Sequence, residues 1–440
     1  MSVPVAPGRL PFLGHSLPML RKRFAFTRNL RVQGDLVEVH LGPMRAYFVA
    51  SPKLTHQVLV TDAPKFHKGR MYDKFRAFVG NGLAVSSGSF HLRQRRMMQP
   101  AFHRDRIAGY ATIMSRAALG LLDGWRPGEV RQLEADMQGL AVTIVGESLF
   151  STEIGKKAIA EARRSVFVII KNGILRALSP GFVEKLPIPA NREFDEAIAR
   201  MRAIVHEVIE SRRDGSDSST DHQDLLTMLL AARDPETGEP MTDEQVFDEV
   251  VTLLTAGIET TALALAWIFH EIAANPEVEQ RVQAEIDDVL AGRPVTIDDV
   301  PKLTYIGQVA HEVLRKYPLW LVMRRTAEEV ELGGAVLAPG TEVILSPYTM
   351  HHDPEHFPDP ERFDPDRWTP ERAALLPKGA YVPFGGGVHQ CIGNHFALTE
   401  IAIVVATVCS RYRLVPDRPV RTTFTNAAYP NDLMMKVVPR

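Results

Sequence analysis

Residues 250–269 read VVTLLTAGIETTALALAWIF, a run with one formal charge that is long enough to cross a bilayer. That charge argues against a membrane span. Glu259 falls mid-run beside Thr255, Gly257, Thr260 and Thr261, and a lone carboxylate at a bilayer centre is penalised by roughly 3 kcal/mol or more. A helix apolar on every side with a polar notch at its middle instead belongs in a large soluble core. Thr242 and Gln245 have the spacing of a capping box that would open this helix. With 440 residues, 45% hydrophobic and 24% charged, the chain can bury such a core and is not disordered.

Charge and cysteine content narrow the function further. The 51 Lys+Arg and 53 Asp+Glu leave a formal charge of −2, which offers no general attraction to nucleic acid or to an anionic membrane. The first residues, MSVPVAPGRLPFLG, break their apolar character with proline and glycine and lack a basic leader region, so neither a signal peptide nor a membrane anchor is expected and the protein is placed in the cytoplasm. The two cysteines, Cys391 and Cys409, are too few for a disulfide framework or a Cys-rich metal site.

Helical periodicity dominates the rest of the chain, over 106–124, 134–150, 191–213 and 303–316. Asn275-Pro276-Glu277 supplies a cap, a first-turn proline and an acidic first turn for a further helix. Short strands are expected at Leu36–Leu41, 47–49, 329–332, Glu342–Leu345 and 433–438, enough for a small sheet beside a helical body. Residues 214–222 (DGSDSSTDH) form a polar loop between helices, and the proline-crowded stretch 347–383 an ordered meander. No repeat and no GxGxxG fingerprint interrupts the pattern. The fold class is therefore mainly α with a small β region, α+β, in one domain over residues 1–440.

Phe384-Gly-Gly-Gly387-Val-His389-Gln-Cys391-Ile-Gly393-Asn-His-Phe-Ala397 is the most informative segment. Its three successive glycines permit a tight turn with positive φ, able to bring backbone amides near a sulfur. Beyond Gly393 the sequence turns helical, which puts Cys391 by a helix N-terminus, where thiolate is favoured over thiol. Such a position suits a metal ligand, although a lone cysteine beside a glycine turn is more often structural. Cys409, in IAIVVATVCS, has no such setting.

Phe384, Gly387, His389, Cys391, Gly393 and Ala397 resemble, at the right spacing, the haem-binding loop of the cytochrome P450 family, whose cysteine thiolate is the axial ligand of haem iron. Three more family motifs occur in order over roughly residues 88–397. Ala256-Gly257-Ile258-Glu259-Thr260-Thr261 resembles the oxygen-handling stretch of the long helix. On the residues alone, the threonine could merely bond back to a carbonyl one turn earlier. The resemblance implies that Ala256 and Gly257 leave room over a flat cofactor, that Thr260 hydrogen-bonds bound dioxygen and that Glu259 helps deliver protons. Glu312-x-x-Arg315 with the later Arg367 resembles the family's buried Glu-Arg-Arg triad, with Asp366 where a Glu is commoner. His91 and Arg95, four apart on one helical face, and Arg324 resemble propionate-binding residues, and His389 stands where many members have arginine, offering one donor in place of a bidentate fork. Arg93 and Arg96 are read as solvated surface.

The resemblance implies a triangular helical body holding haem b between the long helix and the helix after the Cys loop. It implies a monooxygenase that uses O2 to oxidise a small apolar substrate, acting as a monomer. With no flavin or nicotinamide domain visible, electrons are expected from a ferredoxin and its reductase, docking on a basic face around Arg93, Arg96 and Lys378. By analogy with the family, segments 71–79, 182–189, 253–257, 319–323 and 424–429 flank the pocket and supply Phe75, Phe78, Leu253, Ala256, Trp320 and Leu321 as substrate contacts. Arg95-Arg96-x-x-Gln99-Pro100-Ala101-Phe102 and the 187–191 turn resemble bacterial members that oxidise sesquiterpenes and other terpenoids in specialised metabolism, including antibiotic biosynthesis. A fatty acid or macrolide substrate is the alternative, and a non-enzymatic haem sensor a remoter one. Asp287-Asp288 and Asp298-Asp299 lack the third aspartate of a terpene-cyclase motif, so no cyclase activity is expected.

Overall fold

The computed structural model describes residues 3–150, 153–178, 183–213, 224–319, 321–424 and 426–440. The expected loop at 214–222 lies outside them. The chain forms two compact units whose segments alternate along the sequence: residues 73–307, 392–421 and 430–440 make the larger, and residues 1–72, 308–391 and 422–429 the smaller.

The larger unit is built on the long helix Asp243–Ala274. Thr242 Oγ1 accepts from the Gln245 amide at 3.2 Å while the Gln245 side chain accepts from the Thr242 amide at 2.9 Å, closing the expected capping box. Val246, Val250, Leu254, Ile258, Leu265 and Trp267 are all buried along it. Its most apolar window, the one stretch among the described residues with the length and hydropathy of a membrane span, is 61% buried inside the protein, as a core helix should be. It packs on the Leu133–Leu149 and Asn394–Arg411 helices. The next helix, Pro276–Leu290, starts with proline at its first position as expected, but the Asn275 side chain does not cap it. Asn275 Nδ2 instead donates back to Glu271 O at 2.7 Å, closing the preceding helix.

The expected helices appear as Arg104–Asp123, Leu133–Leu149, Pro189–Arg213 and Thr304–Lys316. The 26-residue helix Glu153–Leu178 was not anticipated; its signal is the buried set Ala158, Ala162, Val166 and Ile169, spaced by one helical turn. The strand expected at 433–438 is Met434–Pro439, which pairs antiparallel with both Val130–Gln132 and Tyr412–Pro416.

The smaller unit centres on a five-stranded sheet. Its strands are β1 (Leu36–Leu41), β2 (Met44–Val49), β3 (Phe66–Lys68), β4 (Val322–Thr326) and β5 (Glu342–Leu345), in the order β1-β2-β5-β4-β3. The β2–β5 pair is parallel, with Phe48 opposite Ile344, and the others are antiparallel. Alternation sends Val37, Val39, Phe48 and Ile344 into one apolar cluster and Leu36, Tyr47, Val49, Val343 and Leu345 into another. β3 and β4 escaped the sequence reading because both carry basic residues, including Arg324 and Arg325 in β4. The segment expected at 329–332 is Val330–Leu332, paired with Ala335–Leu337 as a separate hairpin. Past β5 the chain meanders through the short helical turns Pro347–His351, Pro365–Trp368 and Pro370–Ala373.

Candidate functional site

The meander is organised around one buried carboxylate in the smaller unit. Glu312 and Arg315 lie one turn apart on Thr304–Lys316, both fully buried, and pair bidentately at 2.8 and 2.9 Å. Arg367 Nε comes within 3.4 Å of Glu312 Oε1 and Arg367 Nη2 donates to Asp359 O at 3.0 Å. The three residues expected to form a triad are therefore together. Two partners were not foreseen: Trp368 Nε1 and the Asp364 amide each donate to Glu312 at 3.0 Å. Arg315 adds a bond to His351 O at 3.0 Å, and His351 Nε2 accepts from the Val382 amide at 2.9 Å. Burial holds the His351 imidazole well below its ordinary pKa, as an acceptor requires. The network thus runs from Glu312 to the residues just before the Cys loop. Glu312→Ala, which leaves two buried guanidinium groups without their carboxylate, should destabilise the protein by about 3–5 kcal/mol in denaturant titration. Glu361→Ala, which removes only an exposed ion pair with Arg28, should change stability by less than about 1 kcal/mol.

The Cys loop itself is tightly specified. Gly385 and Gly387 adopt φ of 70° and 61°, while Gly386 is extended, so two of the three glycines supply the positive φ. A Cβ on Gly387 would also collide with the carbonyl oxygen of Leu59. The Cys391 amide donates to Phe384 O at 2.9 Å, which closes the loop and ties Phe384 to the cysteine. Cys391 is exposed, and His389 is half-buried. Three residues beyond Cys391 the chain enters the Asn394–Arg411 helix, capped by Gly393. Cys409 is buried within that helix, where burial pushes its thiol up to about 12. Also in the smaller unit, Arg324 is 3% exposed on β4 and donates from Nη1 to Met323 O at 3.0 Å, yet pairs with no carboxylate among the described residues. Leu321 is half-buried, its amide donating to Asn426 Oδ1 at 3.2 Å; Trp320 lies outside the described residues.

In the larger unit, the long helix has one open side. Ala256 and Thr260 are exposed and Leu253, Gly257 and Glu259 half-buried, whereas Leu254, Ile258 and Thr261 are buried. The open positions 253, 256, 257 and 260 follow one helical face. Thr260 Oγ1 donates to Ala256 O at 2.7 Å, so the back-bond raised by the sequence does form. Its proton committed, the hydroxyl oxygen offers lone pairs to an external donor. A Cβ on Gly257 would meet Val145 at 3.1 Å, so this glycine also serves the close approach of the Leu133–Leu149 helix, beyond the room over a cofactor expected of it. His91 is buried on Gly88–Met98, with its Nδ1 3.2 Å from Ser86 Oγ, and Arg95 is half-buried on the same helix. Phe75 is half-buried on Arg70–Val79; the side chain of Phe78 lies outside the description.

The basic docking face needs correction. Arg93 bonds Asp234 Oδ2 at 2.7 Å and lies 3.7 Å from Glu239, and Arg96 pairs with Glu236. An acidic turn thus neutralises two of the three cations, a pairing across more than a hundred residues that no local pattern announces. Lys378 is exposed.

A family model described as Cytochrome P450 matches residues 4–437. The chain belongs to the cytochrome P450 family. It is 47% identical over 413 residues to the cyclooctat-9-en-7-ol 5-monooxygenase of Streptomyces melanosporofaciens, covering 93% of this chain and 89% of that one. The cyclooctatin synthase of the same organism is 42% identical, covering 94% and 90%. The pentalenene oxygenase of Streptomyces avermitilis is 37% identical, covering 99% and 97%. As a cytochrome P450 this is a haem-iron monooxygenase that uses O2, an apolar substrate and redox partners. Its residues fit the group. Cys391 presents a thiol on a closed loop, Arg324 is a buried cation that pairs with no carboxylate among the described residues, and the long helix keeps one face open at Ala256 and Thr260.

Proposed function

We propose that this P450 oxidises a terpenoid in bacterial specialised metabolism, either a sesquiterpene or a larger cyclic terpenoid. The similarity to relatives named for cyclooctat-9-en-7-ol and pentalenene carries this reading, and identity is higher to the former. The haem, taken as haem b, supplies reductive activation of O2 and transfer of one oxygen atom to the substrate, the other leaving as water. Cys391 would hold the haem iron through its thiolate. Arg324, with His91, Arg95 and His389, would hold the propionates, Arg324 as the buried cation that needs an anion.

Thr260 would accept a hydrogen bond through the lone pairs left by its bond to Ala256 O, and Glu259, half-buried one position away, would exchange protons with solvent. Phe75, Phe78, Leu253, Ala256, Trp320 and Leu321 would exclude water and hold an apolar ligand by shape. Electrons would come from a ferredoxin and its reductase to a monomeric, cytoplasmic protein with one haem domain. Because Arg93 and Arg96 are already paired, a negatively charged donor would have to exchange its carboxylates for those of the 234–239 turn. Titrating the ferric Soret band with panels of terpenoids, fatty acids and macrolides tests the substrate. A saturable shift with a cyclic terpenoid is expected, and a shift only with a fatty acid or macrolide would overturn the reading.

A further inference from the structure

Glu249, on the long helix two turns before Ala256, is fully buried beside the nearly buried Asp248. Two adjacent buried carboxyl groups need partners. Glu249 Oε2 accepts from the Leu83 amide at 2.9 Å and Oε1 from Gln94 Nε2 at 3.2 Å. Asp248 Oδ2 accepts from the Asn81 amide at 2.7 Å. The segment 79–86 lies flat on this pair, for a Cβ on Gly80 would strike the Asp248 carboxylate and one on Gly82 the Thr252 hydroxyl. The same segment ends at Ser86, whose hydroxyl meets His91 Nδ1. Gln94 sits between His91 and Arg95 on Gly88–Met98. Glu249 therefore grips both this loop and the helix that carries the proposed propionate ligands His91 and Arg95.

One atom in this junction is out of place. Gln94 is 1% exposed and its Oε1 has no hydrogen-bond partner among the described residues. An ionised Glu249 cannot serve it, being an acceptor only, whereas a protonated Glu249 has an O–H to give. We propose that Glu249 carries a proton in the folded enzyme and pairs with the Gln94 amide, its Oε1 accepting from Gln94 Nε2 while its O–H donates a hydrogen bond to Gln94 Oε1, and thereby acts as a positioning residue that locks residues 79–86 and the Gly88–Met98 helix onto the long helix. The part concerning haem rests on the assignment of His91 and Arg95 to the propionates.

The electrostatics agree. Burial pushes the Glu249 carboxyl up to about 7, and Asp248 acts in the same direction against the hydrogen bonds from Leu83 and Gln94. Asp248 is itself raised by burial, with Glu244 raising it further and Arg202 opposing. Residues 79–86 carry no titratable group, and the Gly88–Met98 helix carries His91, Arg93, Arg95 and Arg96, of which Arg93 is paired with Asp234 and Arg96 with Glu236. The Leu225–Ala231 helix, also packed here, has no titratable residue, and its cap Asp224 is paired with Arg212. On Leu133–Leu149, Asp136 bonds Arg131 and Trp125, Glu147 bonds Arg116, and Glu134 accepts from the Leu433 amide. A pKa raised from 4.5 to about 7 means that the closed form holds the extra proton. Its stabilisation is complete below about pH 4.5 and is lost as pH rises through about 7.

Hydrogen exchange of residues 79–86 in the holoenzyme, expressed as protection factors, tests the lock. In wild type, opening should be on the order of tenfold greater at pH 8.5 than at pH 5.5. Glu249→Gln has no titratable proton; its oxygen keeps an acceptor for the Leu83 amide and, with the Gln94 amide turned over to present Oε1, its nitrogen has that oxygen to donate to, so its protection should be nearly independent of pH and above that of wild type at pH 8.5. Glu249→Ala should be poorly protected at both; if it does not fold, the glutamine comparison stands alone. Opening in Glu249→Gln that increases with pH as in wild type, or poor protection of this variant at pH 5.5, would overturn the proposal. Haem transfer to apomyoglobin at pH 8.5 should be severalfold slower from Glu249→Gln than from wild type, and equal rates would overturn the link to the propionate helix. A His91→Ala variant that retains haem as wild type does would tell against the propionate assignment, with the exchange data still judging the lock.

Discussion

Cys391→Ser is expected to abolish the thiolate-type spectrum of the reduced carbon monoxide complex and with it monooxygenation, whereas Cys409→Ser leaves both unchanged. The two cysteines differ in every respect that matters for ligation. Cys391 is exposed at the end of a loop closed by its own amide on Phe384 O at 2.9 Å, with two glycines in positive φ upstream. Cys409 is 7% exposed within a helix, and burial pushes its thiol up to about 12, so it stays protonated at any working pH. Serine oxygen is a poor substitute for a soft thiolate. A thiolate-type spectrum that survived in Cys391→Ser and vanished in Cys409→Ser would reverse the assignment.

Thr260→Ala is expected to retain haem and substrate binding but to divert most reducing equivalents to hydrogen peroxide, lowering product per electron on the order of tenfold or more. The side chain is exposed on the open face of the long helix, so its truncation removes little packing. What it removes is an oxygen whose proton is held by Ala256 O at 2.7 Å and whose lone pairs are the acceptor. Thr260→Ser keeps that oxygen and should keep most of the coupling. Undiminished coupling in Thr260→Ala, measured as product formed against electrons consumed, would contradict the proton-handling role.

How far the residues could be read in advance depended on whether their signal was local. The capping box at Thr242 and Gln245, the buried long helix and the Glu312–Arg315 pair are features of spacing within a few residues, and each stands where it was expected. The Cys loop was legible for the same reason, since glycine conformation and cysteine position are encoded in one short segment.

The misses are long-range. Trp368 and the Asp364 amide reach Glu312 from more than fifty residues away, and the 234–239 turn neutralises Arg93 and Arg96 from more than a hundred. Asn275 failed as a cap because a competing carbonyl, Glu271 O, lay one turn back. β4 was hidden because strand pairing by Arg324 and Arg325 is decided by β5 and β3 rather than by alternation of apolar residues. The buried Glu249 shows no motif at all; only the fold reveals that Leu83 and Gln94 converge on it.

The central claim, a haem-thiolate monooxygenase acting on a terpenoid, is tested most directly by mass spectrometry of product formed under isotopically heavy dioxygen. The reaction would contain the purified holoenzyme, a ferredoxin, its reductase and a cyclic terpenoid that shifts the Soret band. One heavy oxygen atom in each product molecule, lost in Cys391→Ser, is the result expected. Product oxygen drawn from water, or electron consumption with no oxygenated terpenoid, would contradict it.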